Sequence, residues 1–227
     1  LSERGAGVCG IAAADAFGGA PPGFRPADVY AGCRSVVVFG LALPRGLLRI
    51  ESHAVYLKAM QDALAELDRL ALLAGIYLER LGAEAVPLPS DDPVGFWDER
   101  TKTAKGVLSL KHAAELAGLG RIGKNTLLIN PLYGNRLMLG AVLTDLKLEA
   151  DAPVASLCPE GCRICLDNCP EQALDGVSLD QRRCRLLIYG RDERGQTINR
   201  CNRCRRLCPQ ALRRPPAGMR AATLAED

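Results

Sequence analysis

Apolar positions along the chain change their spacing several times, and each change predicts an element. Residues 35–43, with Val36, Val37, Val38 and Phe39 in an unbroken run, read as a strand buried on both faces. Pro44, Arg45 and Gly46 end it. From about residue 53 to residue 81 the period becomes helical, because Met60, Leu64, Leu67, Ala71, Ala74, Leu78 and Leu81 recur at spacings of three and four. Gly82 is the expected left-handed stop, and residues 85–88 start another strand. Residues 89–105 are polar and irregular around the single Trp97. Ser109 is placed to cap a short helix over residues 110–116, closed by Gly118. Residues 126–130 and 137–146 read as strands around a turn at Asn130-Pro131 and Gly134-Asn135.

A chain of 227 residues with 48% apolar and 24% charged positions is of ordinary globular composition, which excludes a disordered or fibrous class. The formal net charge of +3 is too small to imply nucleic acid by itself. No apolar run reaches the roughly 18 residues of a membrane span. The opening Leu-Ser-Glu-Arg-Gly has neither an initiator Met nor the layout of an export signal. A cytoplasmic location without membrane contact is therefore expected. Ten cysteines change the picture, since eight of them fall within residues 158–208. Residues 1–150 carry equal numbers of basic and acidic side chains, whereas residues 151–227 carry 13 basic, all arginine, against 10 acidic. Asp151-Ala152-Pro153 marks the expected boundary between a domain of residues 1–150 and one of residues 151–227.

The first cysteine motif is Cys158-Pro-Glu-Gly-Cys162-Arg-Ile-Cys165-Leu-Asp-Asn-Cys169-Pro170. The second is Cys184, a gap of 16 residues, then Cys201-Asn-Arg-Cys204-Arg-Arg-Leu-Cys208-Pro209. Both end in C-x2-C-x3-C-P, as does the bacterial two-cluster ferredoxin run, whose last cysteine serves the other cluster. A tight loop supplies three corners of a cubane, and a residue from the other half reaches the fourth. Pro170 and Pro209 suit the first turns of helices that carry those fourth ligands. Crossed ligation thus predicts one [4Fe–4S] cluster on Cys158, Cys162, Cys165 and Cys208, and another on Cys169, Cys184, Cys201 and Cys204. Structural zinc, which also takes four thiolates, is the alternative. In a reducing compartment a disulfide framework is not expected. Cys9 and Cys33, isolated among small apolar residues, read as buried structural thiols. His53 and His112 are lone, each a ligand or proton donor on one reading and an ordinary surface or core histidine on the other.

Gly118-Leu-Gly120-Arg121-Ile-Gly123-Lys124-Asn125 is glycine-rich, a ligand-cradling loop or a plain turn on spacing alone. The stretch His112-Ala-Ala-Glu-Leu-Ala-Gly-Leu-Gly-Arg-Ile-Gly-Lys-Asn-Thr-Leu-Leu-Ile-Asn-Pro, together with Leu139-Gly-Ala-Val-Leu-Thr-Asp145, resembles epoxyqueuosine reductases. Those are cobalamin-dependent iron–sulfur enzymes related to reductive dehalogenases. The resemblance continues through the cysteine order, including Leu179-Asp180 and Arg182-Arg183 ahead of Cys184, and covers about residues 107–210.

The resemblance implies an α+β fold, a nitroreductase-like α/β domain followed by a ferredoxin-like domain with two [4Fe–4S] clusters. Electrons would pass from an external low-potential donor, such as a ferredoxin or flavodoxin, through the clusters to cobalamin. Carried onto this chain, Gly118, Gly120, Arg121, Gly123, Lys124 and Asn125, with Asn130, Tyr133 and Asn135, would border the corrin. Four departures stand out. The family's proton-donating Asp falls at Ala104, and its neighbouring Leu-Glu-Arg at Ser109, Leu110 and Lys111. An aromatic position of the family is Arg121, and the chain stops at Asp227 without the extension by which long members engage tRNA. Epoxide reduction needs a proton on oxygen, so no catalytic residue is assigned and tRNA is not expected as a partner. A reductase of an unidentified small or protein-bound substrate is the first expectation. A cluster-only electron carrier, or a reductase with FMN in place of cobalamin, is the alternative.

Overall fold

A computed structural model of the chain describes residues 1, 5–91 and 94–213. The elements run β1 (Val8–Ala13), α1 (Pro26–Val29), β2 (Ser35–Ala42), α2 (His53–Arg80), β3 (Ala85–Leu88), β4 (Phe96–Asp98), β5 (Thr103–Lys105), α3 (Leu110–Leu116), β6 (Arg121–Ile122), β7 (Leu128–Ile129) and β8 (Leu137–Thr144). The cysteine-rich part adds α4 (Ile164–Asp167), α5 (Gln181–Ile188), β9 (Tyr189–Arg191), β10 (Thr197–Asn199) and α6 (Arg203–Arg206).

Four strands form one antiparallel sheet in the order β1-β2-β8-β3. The unbroken apolar run of β2 is explained by its central position, covered on both faces. Val36 and Val38, opposite Leu143 and Ala141, face Ala113, Ala114 and Ala117 around α3. Phe39 and Val142 face the other way, onto Leu67, Leu70 and Ala71 of α2. The helix over α2 starts where Ser52 accepts from the Val55 amide at 3.4 Å and ends at Gly82 with φ +85°. The stretch expected to be irregular instead contains the hairpin β4–β5, turned by Lys102 at φ 53°.

The cysteine-rich part is laced to this sheet. Ile11 donates its amide to Asp151 Oδ2 at 2.8 Å, and Asp151 returns its own amide to the Ile11 carbonyl at 2.9 Å. Gly134, at φ +59°, lets the chain at Gln210 approach so closely that a Cβ would lie 1.8 Å from that carbonyl. Ala211 is buried with Leu43, Leu48 and Tyr56 beside the start of α2. Helices after Pro170 and Pro209 do not form. Each Cys-Pro is followed by a single turn, closed by Gln172 on the Cys169 carbonyl at 3.1 Å and by Ala211 on the Cys208 carbonyl at 2.9 Å. With Gln172 at φ 48°, the backbone leaves the helical region at once. No helix among the described residues is long and apolar enough to cross a membrane.

Candidate functional site

Eight thiols fall into two groups of four, and each group draws on both motifs. Cys158, Cys162 and Cys165 share one small pocket with Cys208, walled by Asn125, Ile129, Pro159 and Pro209. The loop that presents the first three is shaped by Cys162 donating its amide to the Pro159 carbonyl at 3.1 Å, directly before α4. Burial pushes the Cys165 and Cys208 thiols above their ordinary range, and the facing thiols of the group push further. In the second group Cys204 is pushed up to about 11, chiefly by burial, against a downward pull from Arg205. Cys184, Cys201 and Cys169 all act on it, and burial, then Cys201 and Cys169, raise Cys184 in the same way.

A buried thiol with other thiols about it and a raised pKa ionises only if a cation stands among the sulfurs. Four thiols with no carboxylate or histidine are the donor set of a cubane iron–sulfur cluster. The same four thiols are also the donor set of structural zinc, and among the described residues no three His, Cys, Asp or Glu side chains are drawn in closely enough to hold a single ion. All ten cysteines are unpaired. Cys33 is buried as expected, with its thiol 3.5 Å from the Ser35 carbonyl, whereas Cys9 is exposed in β1.

The glycine loop seats the cysteine loops. Lys124 donates its ammonium to the carbonyls of Pro159 at 3.3 Å, Cys162 at 3.1 Å and Glu160. Asn125 donates to the Cys204 carbonyl and Asn135 to the Arg205 carbonyl, each at 3.1 Å. Buried Arg205 answers by donating to the Asn135 carbonyl. Gly118, at φ +69°, lies where a Cβ would come within 2.4 Å of the Ala152 carbonyl. Gly120 and Gly123 pack on Ile129, and Arg121 pairs with Glu115 at 3.2 Å. Asn130 holds the Leu132 and Tyr133 amides at 2.8 and 2.9 Å. None of these nine residues, expected at a corrin border, lines the large cleft.

That cleft, of about 930 Å³, lies between the sheet half and α5. Phe17, Phe24, Leu108 and Leu116 give it apolar walls, and Lys105, Lys111, His112 and Arg185 put basic groups on it. Cys184 of the second thiol group opens onto it. Ala104, where the resemblance leads one to look for an acid, is part of its wall. The backbone there is clamped by Gln181, which accepts from the Ala104 amide and donates to its carbonyl, both at 2.9 Å. Ser109 does not cap α3 with its side chain, and its hydroxyl instead meets His112 Nδ1 at 2.7 Å. His53 begins α2, away from the cleft. Half-buried Lys111 donates to the Thr126 carbonyl at 2.7 Å. Burial pushes its ammonium below the usual lysine range, and Cys204 acts in the opposite sense. Sequence reasoning missed Gln181 and the part played by Lys111, because both roles depend on contacts across distant segments.

No family model matches the chain. It is similar in sequence to the epoxyqueuosine reductase of Bacillus cereus, 29% identical over 205 residues, which cover 82% of this chain and 50% of that protein. The chain spans about half the length of the curated relatives it matches. In structure it resembles an epoxyqueuosine reductase solved with an epoxyqueuosine-modified tRNA-Tyr stem loop, with a TM-score of 0.63 and 21% identity over 92% of this chain and 62% of that one. It also resembles a reductive dehalogenase described by its B12-dependent dehalogenation, with a TM-score of 0.62 and 21% identity over 90% of this chain and 30% of that one. The resemblance to epoxyqueuosine reductases is thus found in sequence, and the mixed α/β fold is the one they share with reductive dehalogenases. The tRNA stem loop belongs to that solved relative, whereas the sequence of this chain leads to no expectation of a tRNA partner.

Proposed function

We propose that this chain is an iron–sulfur redox protein that takes electrons through two [4Fe–4S] clusters to cobalamin in the cleft and reduces a substrate not yet identified. Residues 151–227 would form the ferredoxin-like cluster domain and residues 1–150 the nitroreductase-like domain that holds cofactor and substrate. The observation that carries the reading is the crossed grouping of the thiols, Cys158, Cys162 and Cys165 with Cys208, and Cys169 with Cys184, Cys201 and Cys204. Cys184 supports the direction of transfer, because it belongs to one group and borders the cleft.

Bound there, the clusters would supply one-electron transfer and cobalamin the reduction of the substrate. The volume of the cleft, at the upper end of ordinary ligand pockets, suits a large organic cofactor. Phe17, Phe24 and Leu108 would exclude water from its floor, and Lys105 and Arg185 would meet anionic groups at its sides. The B12-dependent relative supports cobalamin, and the redox relatives support an external donor of the ferredoxin or flavodoxin class. Unpaired thiols accord with a cytoplasmic location.

Ala104 favours a second reading, in which the clusters serve a partner protein and no substrate is reduced, because the wall then needs no acid. Anaerobic purification with an iron count and an absorption spectrum separates the cases. About eight irons per chain and a spectral shift on adding cobalamin are expected. Eight irons without a shift select the carrier, and a flavin band places FMN in the cleft. Colourless, iron-free or zinc-only protein overturns the whole reading.

A further inference from the structure

Lys111 stands in an unfavourable place for a cation. It lies in the first turn of α3, where the helix end already carries partial positive charge, and burial adds a desolvation cost. Its hydrogen-bond partner at 2.7 Å is the Thr126 carbonyl, a neutral group. Thr126 is itself held at φ 58°, so the chain adopts a strained turn that aims this carbonyl at the ammonium. The adjacent Asn125 fastens the same turn to the Cys204 carbonyl at 3.1 Å. The turn on which Lys111 is seated is thus fastened to a member of the second thiol group. Lys111 also lines the cleft onto which Cys184 opens. The cation therefore sits on the cleft wall beside the turn that is bonded to Cys204, brought there by the sheet half of the molecule.

We infer that Lys111 is a tuning residue, whose positive charge raises the reduction potential of the cluster that Cys169, Cys184, Cys201 and Cys204 would hold. The inference rests on the function proposed above. A cluster gains a negative charge when it accepts an electron, and a cation in a desolvated wall stabilises that reduced form more than the oxidised one. Arg205 and Arg185 flank the same thiols and add positive charge of their own, Arg205 while donating to the Asn135 carbonyl and Arg185 from above the Trp97 and Tyr189 rings. The first thiol group lies in another pocket and serves as the internal reference.

The test is a redox titration of the anaerobically purified, cluster-loaded protein, followed by electron paramagnetic resonance. The centre of the second group is identified by its loss in Cys184→Ala. Lys111→Gln keeps a hydrogen-bond donor for Thr126 and removes the charge, while Lys111→Arg keeps the charge. The expected result is a shift of that one centre to more negative potential in Lys111→Gln, none in the other centre, and a value near wild type in Lys111→Arg. Lys111→Met, read in the same way, should match the Gln variant. Unchanged potentials in a fully loaded Gln variant, or an equal shift of both centres, overturn the inference and leave the cluster reading intact. Wild-type protein without iron fails earlier and overturns the cluster reading itself.

Discussion

The side-chain amide of Asn125 donates to the backbone carbonyl of Cys204 at 3.1 Å, across 79 positions of sequence. Asn125 is almost fully buried, so the bond is made out of reach of water. It joins the glycine loop to the second cysteine motif, and its neighbour Lys124 does the same for the first. The glycine loop is thus bonded to both cysteine loops. Asn125→Ala should lower stability by about 1–3 kcal/mol, the cost of leaving a buried carbonyl without its donor. It should also speed loss of iron from the second group. Denaturant unfolding and iron retention under a chelator measure both, and an unchanged unfolding midpoint would remove the bond from the account.

Crossed grouping makes the last cysteine of each motif serve the other motif. Cys208→Ala is expected to destroy the cluster built on Cys158, Cys162 and Cys165 and to spare its companion. Cys169→Ala should do the reverse, because Cys169 acts on Cys184 and Cys204. Iron content near half of wild type in each single variant, with different surviving resonance spectra, is the expected outcome. If both variants lost the same spectrum, the grouping would not describe the ligands.

Lys124 places one ammonium on three carbonyls of the first cysteine loop. Charged hydrogen bonds contribute about 1.5–3 kcal/mol, and a carbonyl nest for a cation has no use for an apolar tip. Lys124→Met should therefore lower stability by an amount in that range and loosen the Cys158–Cys162 loop. Faster exchange of the Cys162 amide and earlier loss of iron from the first group would register it. The second group should hold its iron for as long as in wild type.

Tyr30 donates its hydroxyl to Glu84, which pushes the phenol up to about 12 from its ordinary 10. The folded state thus holds this proton more tightly than the unfolded chain. The stabilisation is complete below pH about 10 and disappears as pH rises through about 12. Tyr30→Phe should be less stable than wild type at pH 8, and the gap should close toward pH 12. Urea unfolding at the two pH values checks the sign. A gap that widened with pH would contradict it.

The β2 run, the long amphipathic α2 and the Gly82 stop were legible because each is set by local pattern. The cysteine spacing predicts two crossed groups of four, and the structure brings Cys208 into one pocket with Cys158, Cys162 and Cys165. Other features were not legible. β1 is short and its Gly10 and Cys9 break the expected alternation, so its place beside β2 depends on tertiary pairing. The hairpins β4–β5 and β9–β10 have only three residues a strand and leave Phe96, Trp97 and Tyr189 exposed, so they give no core signal. The bonds that Lys124 and Asn125 make could not be foreseen, because their partners, the carbonyls of Glu160, Cys162 and Cys204, have no sequence signature. A backbone acceptor is the same at every position, and only the fold decides which one a side chain finds.

Gln181 closes the cleft by a pair of bonds that no ionic attraction supports. Its carboxamide accepts from the Ala104 amide and donates to the Ala104 carbonyl, each at 2.9 Å, so α5 is clipped to β5 as an added strand would be. The clip fixes the distance between Cys184, three residues further along α5, and the wall that carries Ala104 and Lys105. Gln181→Ala removes both bonds, and at about 1 kcal/mol each the loss should be near 2 kcal/mol. A looser wall must be ordered again when a cofactor binds, so cobalamin affinity should fall several-fold with the iron content unchanged. A spectral titration with cobalamin, run beside an unfolding curve, reads the two effects separately. Gln181→Glu keeps the acceptor but not the donor and should fall between the two. Equal cobalamin affinity in all three proteins would mean that the clip supports the fold alone, and that the cofactor is held elsewhere.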